Sequence, residues 1–370
     1  MKTVVVTGAK GFVGRNLCVA LKRRTDVTLV EADLDTEPAV LQNGLTNADL
    51  VYHLAGVNRP QQDEEFKTGN VGFTEQVLDT LKSGAPTPFV MTSSIQAELN
   101  NPYGLSKKDA EEHVFEYARK TRSPAYVYRL PNVFGKWSRP YYNSVVATFC
   151  AQVAEGKELS VHDPAAAVTF VYIDDVVLSL LGILDNEPPQ KTGEYCCVDS
   201  TFDTTVGALA DLVQSFATIR ETGMLPDLGD QFTRNLYTTY LSFLGSTQLA
   251  YSADKKADQR GYLFELLKSP RSGQVFVSRT RPGITRGNHY HDSKVEKFCV
   301  VDGSAVISLR HLVTNEVVQI SVRGEECRVV DVPPGWAHNI QNTGDGDLIT
   351  IFWANEIFSQ ANPDTYFVEV

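Results

Sequence analysis

Three sets of residues in this 370-residue chain have the types and spacing of chemistry. Thr7-Gly8-Ala9-Lys10-Gly11-Phe12-Val13-Gly14 sets Gly8, Gly11 and Gly14 at G-x-x-G-x-x-G spacing directly after a β-branched run. In such a turn the first glycine allows the tight bend, the second lets backbone approach a pyrophosphate, and the third packs helix against strand. Tyr103 and Lys107 are separated by Gly104-Leu105-Ser106. On a helix that spacing puts a phenol and an ammonium on one face, a turn apart. A cation beside a phenolate stabilises it, so the tyrosine can pass a proton to or from a carbonyl oxygen near neutral pH. Finally, His289, His291 and Glu296 stand at H-x-H-x4-E spacing between Gly283 and Gly303, and Pro333-Pro334-Gly335-Trp336-Ala337-His338 follows. Imidazole and carboxylate ligands suit Zn, Mn, Fe, Ni or Cu, so ligand type alone selects no metal.

Such residues need elements to hold them. The first half alternates short β-branched runs with amphipathic stretches, which predicts a doubly wound parallel sheet covered by helices. Strands are expected at 3–6, 27–31, 50–54, 89–92 and 126–129, with helices at 12–24, 63–82 and 103–120. A helix near 143–155, a strand near 168–172, a helix from Asp174 and another over 205–220 follow. From about Tyr251 the chain turns to short runs with turn residues between them, at 274–279, 297–301, 305–312, 316–322, 328–332 and 348–353. Short strands at such regular spacing predict an all-β barrel. The boundary is drawn at Leu244-Gly245, giving domains 1–244 and 245–370.

Position separates the tyrosine–lysine pair from a second match, Tyr251-Ser252-Ala253-Asp254-Lys255. Tyr103 follows a strand ending in Thr92-Ser93-Ser94, whose hydroxyls belong at the sheet's carboxyl edge, whereas Tyr251 lies in the expected connector. Residues 29–35 read Leu-Val-Glu-Ala-Asp-Leu-Asp, acidic and without arginine, so Asp33 is the candidate ribose ligand and the reading leans toward NAD.

Bulk properties exclude several classes. A hydrophobic share of 42% and a charged share of 21% are those of an ordinary globular protein. A formal charge of −11 argues against nucleic acid or an anionic membrane as partner. The first residues hold too short an apolar run for a signal peptide, and no apolar stretch is long enough for a membrane span. The 6 cysteines form no C-x-x-C, and the neighbours Cys196 and Cys197 are poorly placed for a disulfide, so free thiols in a reducing cytoplasm are expected.

Residues 1–200 resemble an extended short-chain dehydrogenase/reductase. Further matches are Tyr52-His53-Leu54-Ala55-Gly56, Gly69-Asn70-Val71, Arg129-Leu130-Pro131-Asn132-Val133-Phe134-Gly135 and Phe170-Val171-Tyr172-Ile173-Asp174-Asp175-Val176. The resemblance implies a Rossmann-type domain that binds the nucleotide at Gly8, Gly11, Phe12, Gly14 and Asp33. It makes Tyr103 the proton donor, Lys107 its tuner and a ribose ligand, and Ser94, ahead of Ser93, the hydrogen-bonder of the substrate carbonyl. Asn132 would face substrate phosphates. His53 reads as a satisfied core histidine, and Asn70 as either a helix cap or part of a relay.

The two C-terminal motifs resemble those of the cupin barrel, which implies that His289, His291, Glu296 and His338 hold one divalent metal. Cys327 stands where the second motif usually has a glycine, which puts a turn in doubt. Arg286-Gly287-Asn288-His289 and Asp258-Gln259-Arg260-Gly261-Tyr262-Leu263-Phe264-Glu265 are similar to segments of cupin-class deoxysugar epimerases, making Arg260 and Arg286 candidate substrate contacts. In the metal-free members the histidine of R-G-x-H is the base. A metal-bound His289 cannot take that role, which leaves the base open among residues such as Tyr290, Lys294 and Lys297.

Over essentially the whole chain the order of motifs is similar to CapF-type capsular polysaccharide synthesis enzymes. Ala55-Gly56-Val57-Asn58-Arg59-Pro60, residues 136–144 and the stretch 363–370 carry that likeness. The family implies a zinc-bound cupin that epimerises C3 of a UDP-4-keto-6-deoxy-N-acetylhexosamine. It also implies a reductase domain that reduces the C4 ketone with NADPH, giving UDP-2-acetamido-2,6-dideoxy-L-talose, and a homodimer. NADPH runs against the NADH leaning of Asp33. A second reading makes the cupin a metal-stabilised dimerisation module on a single-function enzyme.

Overall fold

The computed structural model describes residues 1–222, 225–252, 256–258, 261–263, 273–356, 361 and 363–370. The chain separates into two compact units, Met1–Ser144 with Val168–Asp203, and Val145–Ala167 with Thr204–Val370. Gly245, where composition changes, lies inside the second unit.

In the first unit, β1 (Lys2–Thr7), β2 (Val27–Ala32), β3 (Leu50–His53), β4 (Phe89–Ser94) and β5 (Ala125–Leu130) are parallel and ordered β2-β1-β3-β4-β5. A short parallel partner of β5, Tyr195–Cys196 (β9), and the antiparallel Lys191–Thr192 (β8) complete that sheet. Asn132–Phe134 (β6), Ala167–Tyr172 (β7) and Thr201–Thr205 (β10) form a smaller sheet in the order β10-β7-β6. Helices cover the main sheet: α1 (Phe12–Lys22), α2 (Pro38–Thr46), a run of α3 (Glu64–Phe66), a π-helical stretch Lys67–Gly72 and α4 (Phe73–Lys82), then α5 (Pro102–Thr121). Burial on both faces is why the central strands read as unbroken apolar runs: Val4, Val5, Val6, Val51, Tyr52, Phe89 and Val90 are fully buried. Strand order reverses between β1 and β3, and a crevice outside the carboxyl ends of parallel strands at such a reversal is where nucleotides bind.

In the second unit, helices Val145–Ala154, Val206–Ser215 and Gln231–Leu241 pack on one another. Two five-stranded sheets follow, every pairing antiparallel. One has the order β11 (Ala250–Ser252), β19 (Arg328–Val332), β16 (Glu296–Asp302), β21 (Leu348–Ala354), β14 (Gln274–Thr280). The other is β18 (Val317–Arg323), β17 (Ser304–His311), β20 (Trp336–Asn342), β15 (Thr285–Tyr290), β22 (Tyr366–Phe367). A hairpin of β12 (Lys256–Asp258) and β13 (Gly261–Leu263) stands apart. The expected closed barrel is therefore not what the hydrogen-bonded ladders describe: among the described residues they end in two separate sheets. Side chains join the sheets instead, with the Phe298 ring on β16 lying 5.6 Å from His338 on β20.

β20 was not among the expected strands, and β15 was expected only as the strand on which His289 and His291 share a face. The segment Thr285-Arg286-Gly287-Asn288-His289-Tyr290 lacks the apolar alternation that marks a strand, because polar residues occupy its inward positions. Cys327 keeps the turn that its replacement of glycine put in doubt, by adopting a left-handed φ of 51° after the 3₁₀ turn Gly324–Glu326.

Candidate active sites

The glycine turn joins β1 to α1 at the strand reversal. Gly8 has a φ of 69°, and a Cβ there would stand 2.7 Å from the Ala55 backbone. A Cβ on Gly14 would lie 2.1 Å from the Gly8 carbonyl oxygen. Gly11 caps α1, whose first residue is Phe12, so free amides at that end face the crevice. At the end of β2 the Asp33 carboxylate accepts a hydrogen bond from the Lys10 amide at 2.7 Å, which ties it to the glycine turn. Lys10 pairs with Asp35 alongside. This backbone cradle and nearby carboxylate fit the pyrophosphate and ribose of a dinucleotide.

Beside it, Asn101 and Pro102 start α5: the Asn101 side chain accepts from the Gly104 amide at 2.8 Å, and proline occupies the first turn. That start is pressed against the chain after β4, since a Cβ on Gly104 would lie 2.2 Å from Gln96 O. Tyr103 is thereby brought to the carboxyl end of β4, beside Ser94. Burial raises its phenol above the ordinary range, and the Ser94 contact offsets part of the rise. Lys107, one turn on, is buried and donates to Thr92 O at 3.2 Å. Burial lowers its ammonium to about 8, against a smaller opposing pull from Glu111. Ser93 points the other way, to Glu111, a buried carboxylate that also accepts from Arg129 at 2.6 Å. Strand alternation thus gives Ser94, and not Ser93, to the Tyr103 side.

His53 is a satisfied core histidine, held between Thr7 Oγ1 and Thr74 Oγ1, each at 2.9 Å. Asn70 is neither cap nor relay in these contacts. Its amide clamps the loop after β3, accepting from Val57 N at 2.7 Å and donating to Val57 O and to Ser106 Oγ. Gly56, which closes the Tyr52-His53-Leu54-Ala55-Gly56 match, leaves room for this arrangement: a Cβ there would meet Asn70 Oδ1 at 3.0 Å and Lys107 Nζ at 3.1 Å. Asn132 begins β6, exposed, and donates to Thr169 O at 3.2 Å.

In the second unit, His289 and His338 face each other across the β15–β20 ladder, His291 follows β15, and Glu296 opens β16 in the other sheet. Their ligating atoms all lie within 4.8 Å of one another. Glu296 Oε2 is 3.2 Å from both His291 Nε2 and His338 Nε2. Those two nitrogens are buried, and neither makes a well-directed hydrogen bond. Their other ring nitrogens face backbone carbonyls, His291 toward Asp364 O and His338 toward Trp336 O at 3.3 Å. A carbonyl only accepts, so Nδ1 carries the proton and Nε2 turns its lone pair inward. Burial, aided by His338 and His291, pushes the His289 imidazole down to about 4. Three imidazoles around one carboxylate, with two inward nitrogens that make no hydrogen bond, fit a divalent transition metal.

A bulge between Gly287 and His289 inserts Asn288, so that Arg286 pairs with Ile340 and His289 with His338, two residues along β20. Both therefore face the same side, which alternation without the bulge would forbid. Arg286 donates to Thr280 Oγ1 at 3.0 Å. Arg260 lies outside the described residues. The candidate bases do not converge on the cluster. Tyr290 alternates with His289 and packs its ring against Tyr366, tilted, with centroids 5.3 Å apart, and Lys294 donates to Pro363 O. Lys297 alternates with Glu296 and is locked to Asp331 and Tyr251. Burial opposes its charge, but the Asp331 carboxylate outweighs that and holds the ammonium protonated.

Residues 4–195 match the NAD dependent epimerase/dehydratase family, and residues 256–366 match the polysaccharide biosynthesis C-terminal domain. The chain is 42% identical to the UDP-2-acetamido-2,6-beta-L-arabino-hexul-4-ose reductase of Pseudomonas aeruginosa, over 99% of this chain and 98% of that one. The crystal structure of the capsular polysaccharide assembling protein CapF from Staphylococcus aureus is 43% identical, with a TM-score of 0.69 over 100% of both chains. A UDP-glucuronic acid 4-epimerase from Bacillus cereus, solved with UDP-glucuronic acid and NAD, covers 58% of this chain and 82% of its own at 20% identity and a TM-score of 0.51, a likeness of fold. Among the described residues no helix is long and apolar enough to cross a membrane. With whole-length identity above two-fifths and both domain matches in order, the chain belongs to the CapF-type capsular polysaccharide synthesis enzymes, within the NAD dependent epimerase/dehydratase family.

Proposed function

We propose that the chain is bifunctional on a UDP-2-acetamido-2,6-dideoxy-4-hexulose. Residues 245–370, read as a metal-binding cupin, epimerise C3, and residues 1–244 reduce the C4 ketone with NAD(P)H to UDP-2-acetamido-2,6-dideoxy-L-talose. The product would feed UDP-N-acetyl-L-fucosamine and capsule or O-antigen synthesis, in a cytoplasmic homodimer. What carries the reading is that one chain holds two separate sets of reactive residues, Ser94–Tyr103–Lys107 beside the glycine turn and the His289–His291–Glu296–His338 cluster.

In the reductase half a bound nicotinamide supplies the hydride. Ser94 holds the C4 carbonyl oxygen, and Tyr103 gives it a proton as the alkoxide forms. Lys107, cationic below about 8, favours the phenolate left on Tyr103 and reaches the ribose. Asn132 is assigned to the substrate phosphates by resemblance. In the second half, zinc or another divalent ion held by the four ligands would polarise a carbonyl oxygen and so acidify the neighbouring C–H. Arg286, brought to the cluster's face by the bulge, binds the anionic part of the substrate, and Arg260 is assigned the same role by resemblance. Epimerisation needs the ketone and reduction removes it, so the second step draws the first forward. The acidic Asp33 favours NADH, whereas the family resemblance implies NADPH, and turnover with each nucleotide decides between them.

The test is NMR of the UDP-4-keto-6-deoxy sugar with the protein in D2O, without nicotinamide. Deuterium entering at C3, and absent with His289→Ala, is expected. Normal ketone reduction with no exchange would reduce the β-sheet unit to a scaffold.

A further inference from the structure

The best-connected carboxylate near the histidine cluster is not a ligand of it. Asp364 lies far down the chain from His291, with a φ of 37°. Its Oδ1 accepts from the Asp292 amide at 2.9 Å, and its Oδ2 accepts from the amides of Ser293 at 3.0 Å and Lys294 at 2.7 Å and from Ser293 Oγ at 3.0 Å. Three successive amides and a hydroxyl thus close on one buried side chain. The backbone carbonyl of the same residue accepts the Nδ1 proton of His291. The flanking residues reinforce the clip, since Lys294 Nζ donates to Pro363 O and β22 pairs with β15 at His289 and Tyr290.

We infer that Asp364 is a positioning residue for the metal cluster: its side chain fixes the 292–294 turn, so that its carbonyl sets the tautomer and ring angle of His291. The inference rests on the reading of the cluster as a metal site. The chemistry is that of an outer partner which orients a ligating imidazole, and loss of such partners costs about 10–100-fold in metal affinity. Here the orienting group is a backbone carbonyl, so its position depends on the carboxylate that pins the residue. The other carbonyl partner, Trp336 O, belongs to the same strand as His338 and needs no such clip.

The test is Co2+ titration of metal-free, full-length protein, followed by visible d–d absorption, for the wild type, Asp364→Ala and Asp364→Asn. Asparagine keeps one acceptor oxygen, so it should fall between the other two. The expected result is about a 10–100-fold weaker Co2+ affinity for alanine, a smaller loss for asparagine, and an altered band shape in both. Circular dichroism and the melting point of each metal-free variant establish that folded protein is compared. A merely structural aspartate would change the melt and leave the band and affinity of the folded fraction alone, which would overturn the inference. Equal Co2+ affinity and spectrum in all three proteins would do so as well. Failure of the wild type itself to take up Co2+ would remove the metal reading, and this inference with it.

Discussion

Replacing Lys107 with methionine should make the cofactor-free protein more stable at neutral pH while removing reduction. Burial lowers the Lys107 ammonium from 10.5 to about 8. An unfolded chain holds that proton up to 10.5, whereas the native chain holds it only up to about 8. Below the lower value the native state therefore carries the full penalty of a buried charge, about 3 kcal/mol. Between the two values the unfolded chain binds more protons, so the penalty fades as pH rises. Above the upper value nothing of it remains. Methionine removes the penalty together with the hydrogen bond to Thr92 O, which contributes about 1 kcal/mol. The net is a gain of about 2 kcal/mol at pH 7 and a loss of about 1 kcal/mol near pH 10.5. For a domain of ordinary size the gain at pH 7 corresponds to roughly 4–8 °C in Tm. Scanning calorimetry of nucleotide-free wild type and Lys107→Met at four pH values between 7 and 10.5 reads it directly. A variant that melts below wild type at pH 7, or a difference that stays constant with pH, would refute the reasoning.

Two further outcomes rest on single features. A Gly14→Ala variant drives a methyl group to 2.1 Å from Gly8 O, so α1 must shift away from β1. A cost of about 1–3 kcal/mol is expected, with at least tenfold weaker NADPH or NADH binding by fluorescence titration. His53 is held neutral between two threonine hydroxyls, its imidazole pushed down to about 3 by burial and then by Lys107. Because the unfolded chain protonates it at its ordinary 6.5, stability should fall by about 1.4 kcal/mol per pH unit as pH drops below 6.5. His53→Gln should flatten that part of the acid-denaturation profile, and an unchanged slope would disprove the assignment.

What could be read from residues alone was the chemistry that backbone geometry or periodicity imposes locally. Gly8 is a glycine because its φ is 69°, and the Tyr103–Lys107 spacing is one turn of helix, so both carry their signal in a few neighbouring residues. The histidines were legible as ligand types, and His289 and His291 as neighbours on a strand, but the bounds of β15 and the whole of β20 were not. In β15 and β20 the positions facing the cluster include His289 and His338 in place of apolar residues, and the bulge at Asn288 breaks the alternation further. The helices Val145–Ala154 and Val206–Ser215 were expected near their observed places, yet nothing in them says that they pack with the later part of the chain. Long-range polar partners were out of reach for the same reason. The pairing of Arg129 with Glu111, of Lys297 with Asp331 and of Asp364 with the 292–294 amides depends on contacts that no spacing encodes. Lys297 illustrates the cost: next to a ligand in sequence, it faces away from it on the strand.

The clip at Asp364 also sets an order of events during synthesis. Its carbonyl partner His291 is made 73 residues earlier. At about 5–20 residues per second, His291 emerges roughly 4–15 s before the carbonyl that fixes its tautomer exists. His289, Glu296 and His338 are made before Asp364 as well. The residue that orients His291 is thus made last of the set. On the metal reading proposed above, an ion bound before then would meet ligands that lack this carbonyl, and loading would depend on timing as well as affinity.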